Sequence, residues 1–338
     1  MIDLLVVGGG PAGLSTALYA AKAGLEVVVL ERRPGSIDKA CGEGLMPHAI
    51  AHLDSLGVAA RGRELRGITY LDGTRSVTAP FSCGPGLGVR RTTLHAALLD
   101  AVTNAGVRIV HAEVGDVDQD VNSVCCSGFR ARYLAAADGL HSQIRASLSL
   151  SLPPGRRRRW GIRRHVQIAP WSDNVEVYWS DDAEAYVTPV ADDCVGIAVL
   201  TSRRGQFEKH LDSFPVLLDR VRGKPHGTDR AAGPLRQRVR SRSAGRVMLV
   251  GDAAGYVDAL TGEGLGIAFS AAELLVGCVA SDTPADYDRQ WRRMSRHYRL
   301  LTAMMLQASA IGSVRSRIVP VASRLPHVFE VLVNRLAD

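Results

Sequence analysis

The sequence predicts an α/β protein. A Rossmann-like nucleotide-binding domain is assembled from distant parts of the chain, with an antiparallel sheet inserted and a helical C-terminus. Three observations predict it. The apolar run Leu4-Leu5-Val6-Val7 opens the chain and leads directly into Gly8-Gly9-Gly10-Pro11-Ala12-Gly13. Two later apolar runs, Tyr133 to Ala137 and Val247 to Val250, end in Asp138-Gly139 and Gly251-Asp252. Between those two, residues 160–200 turn into period-2 and β-branched runs separated by turns, the pattern of an antiparallel sheet.

The first apolar run reads as a buried strand, and Gly8, Gly10 and Gly13 form G-x-G-x-x-G at a strand-to-helix turn. Gly8 permits the turn, Gly10 lets a pyrophosphate approach the backbone, and Gly13 lets the helix pack on the sheet. Pro11 and Ala12 open a helix that runs to Gly24, with Pro11 where a missing N–H costs nothing. Free amides at that helix start favour a phosphate. A second strand, Val27 to Leu30, ends in Glu31, at the spacing that suits a carboxylate on an adenosine ribose. Arg32 follows at the same strand end and joins the candidate cofactor contacts. Dinucleotide binding follows, without deciding which dinucleotide.

Further along, Lys39 to Leu45 leads into a helix from Pro47 to about Leu56. Residues 65–79 read as strands around a turn at Asp72-Gly73, and Phe81 to Gly88 as a glycine-rich loop. The helix opened by Arg91 carries Leu94, Leu98 and Val102 on one face, and Gly106 caps it. Val107 to Val110, Ala112 to Val121 and Val124 to Phe129 look like strands. Pro153 to Arg159 is a solvated linker with four consecutive arginines, Arg156 to Arg159. Gln206 to Arg222 and Gly262 to about Ser281 read as helices. The expected nucleotide domain is 1–66, 89–158 and 236–283. The expected substrate domain is 67–88 and 159–235. Residues 284–338 form C-terminal helices broken at Pro320 and Pro326.

Composition excludes several classes. A formal charge of +7 favours anionic ligands, a membrane surface or nucleic acid. The arginines scatter along the chain, and no helix-turn-helix, zinc-finger or RNP pattern accompanies them, so nucleic acid is not expected. The six cysteines show no C-x-x-C and no metal spacing, so no metal is expected and the thiols suit the reducing cytoplasm. The chain starts on a strand rather than a signal peptide. No apolar run reaches the roughly 18–20 residues of a membrane-spanning helix. The basic C-terminal helices are expected to pack on the nucleotide domain with their arginines outward. Peripheral contact with anionic lipid is the alternative. Oligomeric state stays open.

Two further stretches carry a resemblance. Asp138-Gly139-Leu140-His141-Ser142-Gln143-Ile144-Arg145 has the form D-G-x-x-S-x-x-R. Gly251-Asp252-Ala253-Ala254-Gly255 is followed by Leu260-Thr261-Gly262-Glu263-Gly264-Leu265-Gly266. Behind an N-terminal G-x-G-x-x-G, these resemble the FAD-dependent oxidoreductases of the para-hydroxybenzoate hydroxylase type over nearly the whole chain. The resemblance implies FAD, with NAD(P)H as a transient electron donor. It implies that Gly251 and Asp252 meet the ribityl and pyrophosphate region. Gly262, Glu263, Gly264 and Leu265 would open a helix facing the flavin ring. It places Asp138 beside the cofactor and Arg91 within reach of it.

Cys41-Gly42-Glu43-Gly44-Leu45 and the Thr261-Gly262-Glu263-Gly264 turn are similar to the geranylgeranyl reductase branch. That branch implies hydride transfer from reduced flavin to a C=C bond of a hydrophobic isoprenoid, quinone or polyketide-like molecule. Cys41 and Glu43 become catalytic candidates, and Cys41 and Gly42 cofactor contacts. Trp179, Tyr186 and Pro189 would floor the substrate pocket. The alternative is an NAD(P)H-dependent monooxygenase that hydroxylates an aromatic or polyketide substrate with O2. Halogenases of this type add a W-x-W-x-I-P motif, of which Trp160-Gly161-Ile162 is a faint echo.

Overall fold

A computed structural model describes residues 1–155 and 157–337; Arg156, the first of the four consecutive arginines, lies outside them, as does the C-terminal residue. The first strand, Ile2–Val7, sits at the centre of the nucleotide-binding sheet. It pairs in parallel with Val27–Glu31 on one side and with Phe129–Ala136 on the other. Phe129–Ala136 in turn pairs in parallel with Val247–Leu249, and Val27–Glu31 with Arg108–His111. Three distant strands therefore end side by side, just before Gly8, Asp138 and Asp252. Leu4 to Val7 and Leu134 to Ala136 are fully buried, because helices cover both faces of a parallel sheet. The Pro11–Lys22 helix packs against the Arg91–Asn104 and Gly264–Ala280 helices.

The second sheet has seven strands, in the order Arg230–Ala232, Trp160–Gln167, Cys194–Thr201, Ala183–Ala191, Asn174–Trp179, Gly67–Leu71 and Ser76–Pro80. All neighbours are antiparallel except Asn174–Trp179 with Gly67–Leu71. One face packs on Phe207, Leu211, Phe214 and Leu217. The other face looks toward the nucleotide sheet.

Several boundaries differ from the sequence reading. The strand before Asp138 begins at Phe129, not Tyr133. Ser127 and Gly128 both take positive φ, 50° and 79°, and make a tight hairpin that the apolar pattern runs straight through. The Gln206–Arg222 helix is two helices, Phe207–Leu211 and Pro215–Val221, because Pro215 cannot continue the first. The Phe81–Gly88 loop contains a short strand, Gly86–Gly88, that joins Gly44–Leu45 and Arg63–Leu65 in a third sheet. Arg159 is not part of a solvated linker: its guanidinium is buried against Glu184 and Asp258. The C-terminal helices divide between two partners. Tyr287 and Trp291 join the nucleotide-domain core, whereas Val319, Phe329 and Val333 pack on Tyr70, Val77 and Trp179 of the second sheet. Phe329 lies 4.7 Å from the Tyr70 ring. Among the described residues, no helix is long and apolar enough to cross a membrane, and no group of side chains is arranged to hold a metal ion.

Candidate flavin and substrate site

One cavity of about 750 Å³ lies between the carboxyl edge of the nucleotide sheet and the facing side of the second sheet. It is within the usual range for a site that encloses a cofactor or ligand. Gly8, Asp138 and Asp252 all line it.

The glycine turn is held by close backbone approach. Gly8 has φ +109°, and a Cβ there would overlap the Ala137 carbonyl of the neighbouring strand. A Cβ on Gly13 would overlap the Gly8 carbonyl oxygen. Gly10 is different: a Cβ there meets nothing within 4 Å, because it points into the cavity. The Gly9 peptide is pinned at both ends. Its N–H donates to Glu31 Oε2 at 2.7 Å, and its carbonyl accepts from His95 Nε2 at 2.8 Å. Burial pushes the Glu31 carboxyl up, but the N–H groups of Gly9 and Arg33 and the Arg33 charge outweigh it, and the net shift is downward. Burial pushes His95 down, with the Gly9 carbonyl opposing.

The second motif is a staple. Ser142 Oγ caps the short Gln143–Ser147 helix by accepting from Arg145 N at 2.9 Å. The Arg145 guanidinium reaches the carbonyls of Leu140, Asp252 and Ala253, and so ties the second motif to the third. Asp138 Oδ2 accepts from Ile144 N at 3.2 Å, while its Oδ1 is buried without a protein partner. Turn capping thus occupies one oxygen only. Asp252 borders the cavity with its surface open to it; desolvation by the surrounding walls raises its carboxyl, and Arg91, Lys39 and Arg145 oppose the rise. Lys39, a cavity residue the sequence reading did not single out, is lowered by burial and then by Arg33 and Arg91.

Cys41 and Glu43 diverge in role. Cys41 is half-buried on the cavity wall, and its Sγ receives the Glu43 N–H at 3.4 Å. Glu43 has φ +61°, uncommon for a residue with a side chain. Its Oε1 accepts from Arg91 N at 2.8 Å, and its Oε2 lies 2.6 Å from His165 Nε2. Arg163 Nη1 is 3.0 Å from His165 Nδ1. A guanidinium can only donate, so Nδ1 accepts and the ring proton sits on Nε2, directed at Glu43. Arg163 continues the chain to Asp38, which also binds Arg230 Nε at 3.0 Å. Arg163 and His165 are two apart on the Trp160–Gln167 strand and so share a face, while Arg164 between them turns to Asp229 and Phe207.

The apolar end is built by the same alternation. Ile68 and Tyr70, Val175 and Val177, Tyr186 and Thr188, and Ala198 and Leu200 point to one face and line the cavity, with Val333 and Leu336 of the last helix opposite. Tyr186 donates to the Leu260 carbonyl at 2.9 Å, and Thr188 Oγ1 to the Gly42 carbonyl at 2.7 Å. Trp179 and Pro189 do not border the cavity. Trp179 lies past its end, 5.4 Å from the Tyr70 ring and beneath Arg315. Pro189 is out of step with Tyr186 and Thr188 on its strand. Pro11, Ala12, Arg32, Gly42, Gly251, Gly262, Glu263, Gly264 and Leu265 border the cavity; Gly13 lies behind it as a packing residue.

These residues fit a dinucleotide. Gly10 leaves room for a pyrophosphate at a helix start. Asp138 Oδ1 and Arg91 Nε are buried polar atoms without hydrogen-bond partners among the described residues, which a polar ligand would satisfy.

Comparison with known proteins agrees. The FAD binding domain family model matches residues 1–281. The menaquinone reductase of Mycobacterium tuberculosis is 31% identical over 303 residues, covering 78% of this chain and 72% of that one. The digeranylgeranylglycerophospholipid reductase 1 of Methanothermobacter thermautotrophicus is 28% identical, covering 88% and 82%. The para-nitrophenol 4-monooxygenase of Pseudomonas sp. is 32% identical over 44% of this chain and 42% of its own. A flavin-dependent brominase has the same fold at TM-score 0.84 and 16% identity, covering 99% and 93%. The chain therefore belongs to the FAD binding domain family and is an FAD-dependent oxidoreductase of the para-hydroxybenzoate hydroxylase fold, with geranylgeranyl-type reductases among its relatives.

Proposed function

We propose that this chain reduces a C=C bond of a hydrophobic small molecule of isoprenoid, quinone or polyketide type. The observation that carries this reading is the continuity of the cavity. A polar trough with dinucleotide features opens directly onto a floor of Ile68, Val175, Val177, Ala198 and Leu200. Bound FAD, reduced by NAD(P)H, supplies the hydride. The chain's own residues bind, orient and protonate. The apolar floor holds an alkene segment and excludes water. Cys41 Sγ–H, on the wall between the two ends, delivers the proton to the second alkene carbon and recovers it from solvent. Burial raises Tyr70 and Tyr186 and makes them poorer acids. Glu43 is a positioning residue. With one oxygen on Arg91 N and the other on His165, it anchors the Arg91 helix start and the Cys41 turn.

The test is NAD(P)H-driven turnover of a menaquinone and of a geranylgeranyl lipid, under argon and in air. Saturated product formed under argon is expected. Product that appears only in air and carries an oxygen atom from O2 would overturn the reading in favour of hydroxylation. That second reading is supported by the match to the Pseudomonas monooxygenase.

A further inference from the structure

Behind the Gly251–Gly255 turn lies a second cavity of about 220 Å³. It shares a wall with the flavin site, since Gly251, Asp252, Tyr256 and Gly264 border both. Its remaining walls mix apolar residues such as Leu152, Val239, Val257 and Ile267 with four arginines. Arg236 and Arg238 stand exposed at its edge, and Arg242 and Arg299 lie deeper, against Trp291.

The two inner arginines are short of anions. Arg242 is 4% exposed. Its Nε donates to the Ala254 carbonyl at 3.0 Å, and its Nη1 reaches Asp288 at 3.4 Å. Among the described residues no hydrogen bond engages its Nη2. Asp288 is itself shared with Arg292 at 2.7 Å. The half-buried Arg299 guanidinium has no hydrogen bond or ion pair among the described residues; its one ring contact is Trp291, 5.5 Å away. Arg242 lies over the same indole at 4.2 Å. Burial and then the Arg299 charge push Arg242 down to about 10. Asp252 also borders the cavity, on the wall shared with the flavin site, where the charges of Arg91, Lys39 and Arg145 act on it. Arg242, Arg292 and Arg299 thus have one carboxylate, Asp288, close to them, and an anion between Arg242 and Arg299 relieves their repulsion. Guanidinium groups match phosphate oxygens in shape as well as charge.

We propose that this cavity binds a compact phosphate-bearing anion, separate from the dinucleotide and coupled to it through the Gly251–Gly255 turn. The ligand is inorganic phosphate, pyrophosphate or the phosphate end of a small monoester, since the space is less than a third of the flavin cavity. Arg242 and Arg299 clamp its oxygens. The exposed arginines guide its entry.

The test uses the FAD-loaded protein, so that the dinucleotide site is filled. Tryptophan fluorescence and melting temperature are followed while inorganic phosphate or pyrophosphate is added, against sodium chloride at equal ionic strength. A saturable response to either phosphate ion, absent with chloride, is expected. Arg299→Met should weaken it by about tenfold or more, the loss of one charged contact. Trp291→Phe should remove the fluorescence change and keep the rise in melting temperature. An equal response to chloride, no saturable response, or a response that Arg299→Met leaves unchanged would each overturn the proposal. Among the described residues the Arg299 side chain makes no hydrogen bond or ion pair, so its replacement should leave folding intact.

Discussion

The two ends of the main cavity are built by different means. At the flavin end, backbone does the shaping: Gly8, Gly10 and Gly13 are defined by what a side chain would strike or fill, and Arg145 ties two loops through four carbonyl and amide oxygens. At the apolar end, side chains do the shaping, with alternate residues from four strands facing the last helix. A backbone-built site admits little variation. A side-chain-built site can change its occupant by changing volume. One fold can therefore keep a single cofactor across relatives named for different substrates.

The largest expected effect lies at the flavin end and separates packing from binding. Gly13→Val places a side chain on the Gly8 carbonyl, and folded protein should not be recovered. Gly10→Val meets only open cavity, so the protein should fold, give a normal circular dichroism spectrum and be colourless. If both variants fold and hold flavin, the backbone-built description of this end fails.

The next effect probes the apolar end. Leu200→Trp should fill space next to the alkene site, keep the flavin spectrum and raise KM by about tenfold or more, the scale of misfitting a hydrophobic pocket. Loss of flavin in this variant would show that the two ends are not separable.

Glu43→Gln tests the seam between them. The amide retains the shape but loses the charge that holds both Arg91 N and His165. A destabilisation of about 1–3 kcal/mol in thermal or urea melts is expected. On the proposed assignment of Cys41 as donor and Glu43 as positioning residue, its kcat should fall less than that of Cys41→Ala. The reverse order would make Glu43 the acid.

The smallest effect is a pH dependence behind the apolar end. Burial raises Asp258 from 3.8 to about 6, with Arg159 opposing and Glu184 reinforcing. The folded state therefore holds this proton more tightly than the unfolded state. Its stabilising contribution is complete below pH 3.8 and is lost as pH rises through about 6. At about 1.4 kcal/mol per pKa unit, the loss is at most roughly 3 kcal/mol. Asp258→Asn should flatten that part of the stability curve; an unchanged slope would place the titration elsewhere.

Much of the flavin end was legible because its determinants are local. Gly8, Gly10 and Gly13 sit in one turn, and Asp138 and Asp252 each end an apolar run, so strand-to-turn grammar exposes them. Arg145 was visible as a motif letter, but its task was not, since its partners lie at Leu140, Asp252, Ala253 and Gln237. The substrate end was harder. Tyr186 and Pro189 belong to one strand, yet an odd separation sends them to opposite faces. Trp179 shares a face with Val175 and Val177, but the C-terminal helices cover it, and only packing reveals where that cover falls.

By itself the sequence determined the cofactor class and the central sheet. Glycine spacing and apolar runs obey short-range sterics that any fold must respect. The tertiary structure alone decided that Glu43 meets His165 across 122 residues and that Arg242 and Arg299 gather behind the flavin turn. It also decided that the last helix closes the apolar cavity. Those contacts join segments far apart in the chain, and long-range proximity is fixed by how the whole chain packs, which no local pattern encodes.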